Sequence, residues 1–161
     1  MARVVRRTEL IPCSVAELLE VLTSEELLRE QQRLQGARDV QVDTTIHSSE
    51  RLVVQVRALE RIRNLVSFQP GSGEPSTITY EWDLAASRCE WVYQGPHGAR
   101  LQLSGSLELS ADAAGARLES EFRVSVGVPF VAGAAERVVE AFIVSTYPGF
   151  IGAVRERLPS A

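Results

Sequence analysis

From Arg38 to Val126 apolar and polar residues alternate with a period of two, and only after Val128 does a long helical period set in. That contrast constrains the fold strongly. Alternation puts successive side chains on opposite faces of a strand, whereas spacing by three and four draws one stripe along a helix. The last stretch, VPFVAGAAERVVEAFIVSTYPGFIGAVRERL, carries apolar residues at 131, 134, 135, 138, 139, 142 and 143, one broad helical face. One long helix must then cover a large antiparallel sheet almost alone. The expected class is α+β, with a curved sheet of about seven strands and a cavity between sheet and helix.

The strand faces separate cleanly. Val40, Val42, Thr44 and Ile46 share one face, as do Leu52, Val54, Val56 and Ala58 after a turn at residues 47–50. Ile78, Tyr80, Trp82 and Leu84 follow, then Cys89, Trp91 and Tyr93. Beyond the Gly95-Pro96-His97-Gly98 turn come Leu101, Leu103, Leu107 and Leu109, and finally Leu118, Phe122, Val124 and Val126. Gly105, inside LSGSLEL, is expected to mark a bend or bulge. The opposite faces carry Glu, Arg, Gln and Ser, as a solvated surface does.

Ahead of this meander, Arg3 to Ile11 reads as a strand ended by Pro12. Ser14-Val15-Ala16-Glu17 has the form of a capping box that opens a short helix. Thr23 and Ser24 offer a second cap, Glu25 and Glu26 suit the first turn, and EELLREQQRLQ runs to Gly36, a natural residue for ending a helix. At 161 residues the chain is expected to form a single domain over residues 1–161.

Strand, two short helices, six strands and a long helix: this order resembles the helix-grip fold of the START-like (SRPBCC) superfamily, which includes lipid-transfer domains, polyketide cyclases and aromatases, and plant pathogenesis-related allergens. The resemblance covers essentially the whole chain and rests on element order, on VPFVAGAAERVVEAFI entering the last helix, and on the capped helix pair after TELIPCS. Within the superfamily the chain is most similar to a bacterial family of unknown function. The resemblance implies that a small hydrophobic or amphipathic ligand, such as a lipid or polyketide-like compound, binds between sheet and C-terminal helix without a cofactor. It leaves open an aromatase/cyclase-type enzyme, and a protein-interaction module whose cavity is filled by its own side chains.

The inward face supplies the candidate ligand-binding residues: Thr44, Val56, Tyr80, Trp82, Trp91, Tyr93, Leu103, Ser120 and Phe122 from the strands, with Val138 and Phe142 from the helix. Glu60 is the one carboxylate that the alternation turns inward. The aromatic residues have two readings, as core with each hydroxyl satisfied by backbone, or as a wall with polar handles for a ligand.

No catalytic residue or metal ligand is assigned. His47 and His97 both fall at turns and read as solvated, no serine sits in a nucleophile elbow, and Gly71-Ser72-Gly73 has neither the lysine nor the helix of a phosphate loop. All seventeen basic residues are arginine, so a Schiff-base lysine is excluded. Cys13 and Cys89 lie far apart and read as small buried hydrophobes. A net charge of −4 with interspersed signs gives no footprint for nucleic acid. No signal-peptide pattern or membrane span is read, and the default location is the cytoplasm. The connection from Asn64 to Pro75 is either a lid or a packed surface loop, and Pro148 either kinks the last helix or splits it.

Overall fold

The capping box forms as its residues require. In the computed structural model, which describes residues 2–61 and 73–159, the Glu17 N–H donates to Ser14 Oγ at 3.1 Å and the Ser14 N–H donates to Glu17 Oε1 at 3.0 Å. Helix α1 (Val15–Leu22) starts there. Ser24 caps α2 (Glu25–Leu34) by accepting the Leu27 N–H. At the far end Gly36 takes φ 83, so the N–H groups of Gly36 and Ala37 can fold back onto Arg33 and Gln32 carbonyls. A side chain is disfavoured in that left-handed geometry.

Around the helix pair runs one antiparallel sheet of seven strands in the order β1-β7-β6-β5-β4-β3-β2. The strands are β1 (Arg3–Ile11), β2 (Arg38–Ile46), β3 (Arg51–Arg61), β4 (Gly73–Asp83), β5 (Arg88–Gln94), β6 (Leu101–Asp112) and β7 (Gly115–Val126). Gly73 to Pro75, expected in the connection, are already strand and pair with Arg61 to Leu59. The rest of that connection, 64–72, lies outside the described residues.

The register lines up one row of inward side chains across the whole sheet: Thr44, Val54, Tyr80, Trp91, Gly105, Phe122 and Val5. The ladder passes through Gly105 without a shift, and the irregularity falls instead between Arg38 and Gln41. Gly105 is there to make room. A Cβ on it would stand 2.4 Å from Trp91 Cζ2 and 2.1 Å from the Glu121 carbonyl oxygen. On the opposite face Arg6, Glu121, Arg123, Glu90 and Arg88 form a chain of ion pairs across the strands.

Helix α3 (Ala132–Glu156) runs through Pro148 as one continuous helix rather than two segments. By length and a mean hydropathy of 1.2 it could cross a membrane, but it lies on the sheet with Ala135, Ile143, Tyr147, Ile151 and Val154 buried. Polar clamps hold it along the β1–β7 edge. Buried Glu136 accepts the Val126 N–H at 3.1 Å, Arg3 pairs with Glu140 at 2.9 Å, and Arg155 approaches Glu9 at 3.7 Å. At one end of the sheet α1 seals a solid core of Ile11, Leu18, Trp82, Cys89, Leu109 and Leu118.

Candidate functional site

Where α1 no longer covers the sheet, α2 and α3 stand on either side of a gap. The gap is a cavity of about 190 Å3, large beside the roughly 10–15 Å3 that a single water needs. Tyr80, Trp91, Tyr93, Leu103, Leu107 and Phe122 form its floor; Val138, Val139, Phe142, Ile143, Thr146, Tyr147 and Phe150 of α3 form one wall; Leu27, Leu28, Gln31, Gln32, Leu34 and Gln35 of α2 form the other. Ring edges meet ring faces along it, with Trp91 to Phe122 at 5.7 Å, Phe122 to Tyr147 at 6.1 Å and Tyr147 to Phe150 at 6.0 Å between centroids.

Of the residues expected at the site from sequence, Tyr80, Trp91, Tyr93, Leu103, Phe122, Val138 and Phe142 line the cavity. Four do not. Thr44 does point to the inner side of its row, but β2 is an edge strand and Thr44 is exposed on it. Trp82 is 1 % exposed within the α1-sealed core, and Val56 is likewise buried within the core cluster. Ser120 is buried under α3, its hydroxyl 3.4 Å from Tyr147 Oη. His97 departs from expectation in the other direction. It is half-buried and lines the cavity, although it sits in the turn after β5.

The lining also holds Glu60, whose Oε1 accepts a hydrogen bond from the Tyr93 hydroxyl. The α2 glutamines were missed as site residues, although the signal was present. Leu28, Gln31, Gln32 and Gln35 fall at helical spacing on one stripe, so three amides share a face with the leucines. Burial above all raises the Tyr80 phenol far above its ordinary value, and burial also raises Tyr147, against which the Ser120 hydrogen bond works. Both therefore stay neutral hydroxyls at neutral pH. Among the described residues no group of three or more His, Cys, Asp or Glu comes together that could hold a metal ion.

Solved structures share this architecture. The ZhuI aromatase/cyclase from Streptomyces sp. R1128 superposes with a TM-score of 0.65 at 14% identity, over 97% of this chain and 93% of that one. A START superfamily protein from Mycobacterium smegmatis gives 0.61 at 11% identity, over 96% of each chain. Ara h 8.0201 gives 0.61 at 13% identity, over 97% of each. At such identities the likeness establishes the fold, the START-like helix-grip fold. No curated protein matches the chain in sequence. The model of one sequence family, described as a protein of unknown function (DUF2505), matches residues 7–149. The chain is thus a helix-grip protein that belongs to the DUF2505 family.

Proposed function

We propose that this protein binds or carries a small hydrophobic or amphipathic molecule in the cavity between sheet, α2 and α3, with Tyr80, Trp91, Tyr93, Leu103, Phe122, Val138 and Phe142 as ligand contacts. One observation carries the reading: an aromatic-walled cavity that carries a few polar groups, the Tyr93–Glu60 pair among them. Such a site gains from burying an apolar body and uses a few fixed polar atoms for orientation. The whole chain acts as one unit, and its free cysteines suit the reducing cytoplasm.

A second reading has its own support. Glu60, Tyr93 and His97 place a carboxyl, a phenol and an imidazole on one cavity, the groups that general acid–base chemistry uses, and ZhuI, a protein of the same fold, is an aromatase/cyclase. A folding or dehydrating step on a bound polyketide-like substrate would use them. Binding remains the preferred reading, since a bound molecule needs only the cavity.

Native mass spectrometry of protein purified without denaturation tests the proposal. Protein carrying a discrete extra mass of a few hundred daltons, lost from a Phe142→Trp variant that fills the cavity, is the expected result. Bare protein from several expression hosts, with no small apolar molecule taken up on incubation, would sink the binding reading and leave the interaction module.

A further inference from the structure

Resting on that reading, we propose that the cavity selects an uncharged hydroxylated aromatic or polycyclic molecule and rejects the carboxylate of the same ring system. Its polar atoms argue for the hydroxyl. Gln32 is only 4 % exposed and lines the cavity, and its side-chain carboxamide makes no hydrogen bond to another described residue. Yet among the described residues no enclosed side-chain nitrogen or oxygen is left without a partner. Its amide atoms therefore keep some exposed surface, and because Gln32 lines the cavity a ligand group or water can satisfy them there. An amide offers both a donor and an acceptor, which suits a hydroxyl, itself both.

Charge argues against an anion. The described lining contains one carboxyl, Glu60, and no arginine, and the chain has no lysine at all. A carboxylate head would be desolvated with no arginine or lysine beside it among the described lining residues and with Glu60 on the same cavity. A neutral hydroxyl meets no such obstacle. The run of ring contacts from Trp91 through Phe122 and Tyr147 to Phe150 favours a flat aromatic body over a flexible chain, since ring edges and faces are already fixed there.

The test is calorimetric titration of the purified full chain with 2-naphthol and with 2-naphthoate at pH 8, where the naphthol is uncharged and the naphthoate is an anion. The naphthol should bind at least about tenfold more tightly. Gln32→Leu should weaken naphthol binding while thermal melts confirm an intact fold, and Glu60→Gln should narrow the gap by raising naphthoate affinity. Equal affinities, tighter naphthoate, or naphthol binding unchanged in Gln32→Leu would overturn the selectivity and leave the cavity reading standing. Binding of neither compound also overturns it. In that case the cavity reading falls with it only if native mass spectrometry finds no bound molecule.

Discussion

Gly105 shows how much of this site depends on one missing atom. The indole of Trp91 occupies the space a side chain at 105 would take, between the two rings of its row, Trp91 and Phe122. Gly105→Ala should therefore destabilise the protein by about 1–3 kcal/mol and alter Trp91 fluorescence, because backbone on one side and a packed ring on the other cannot both yield. A urea melt indistinguishable from the parent's would show the indole free to move. Next along the row, Phe122→Asp should abolish cooperative folding, since an unpaired carboxylate beneath α3 costs several kcal/mol. Glu121→Ala should change stability by less than about 1 kcal/mol, its ion pairs with Arg6 and Arg123 being on the solvated face. Period two made the inward or outward direction of both residues legible. It could not reveal that Gly105 yields space to a neighbour on the adjacent strand, because that depends on pairing, nor that Thr44 is inward yet uncovered.

The elements were legible wherever their determinants are local. Ser14 and Glu17 define a cap in four residues, and Ser14→Ala is expected to cost about 0.5–2 kcal/mol. The bond from Ser14's backbone, and secondarily its hydroxyl, holds the Glu17 carboxyl below the ordinary carboxylate range. A depressed value stabilises the fold above the unfolded carboxyl's value and is lost as pH falls through the lower, folded one. Glu17→Gln should thus be less stable than the parent at pH 7, with the difference shrinking as pH falls below about 4 in thermal melts. A difference independent of pH would mean the charge plays no part. Pro148 behaves otherwise. An interior proline removes one helical N–H bond and crowds the preceding turn, at a cost of about 3 kcal/mol in an ordinary helix. Because α3 continues past it and Pro148 is exposed, Pro148→Ala should raise the melting temperature. The role of α2 escaped the sequence for a tertiary reason: its glutamines look like surface until α3 is seen to close the other side of the gap.

At the scale of the molecule, the cavity and a solid core share one sheet, so occupancy of the first should be felt in the second. Cys89 provides the reporter. It is fully buried in the α1-sealed core, outside the cavity lining, and burial foremost raises its thiol well above the ordinary value. Alkylation needs an accessible thiolate, so native Cys89 should react only through opening of the sheet, while half-buried Cys13 reacts sooner. A molecule bound to the native cavity and not to the unfolded chain adds RT ln(1 + [L]/Kd), about 2.7 kcal/mol at a hundredfold excess over Kd. When opening and closing are fast relative to alkylation, that lowers the reactive population of Cys89 about a hundredfold. With 2-naphthol at that excess, Cys89 labelling should slow to match, although the compound cannot shield a thiol it does not touch. Labelling unchanged while calorimetry shows the site filled would mean that β5 opens on its own, and the sheet would then have to be treated as two cooperative units.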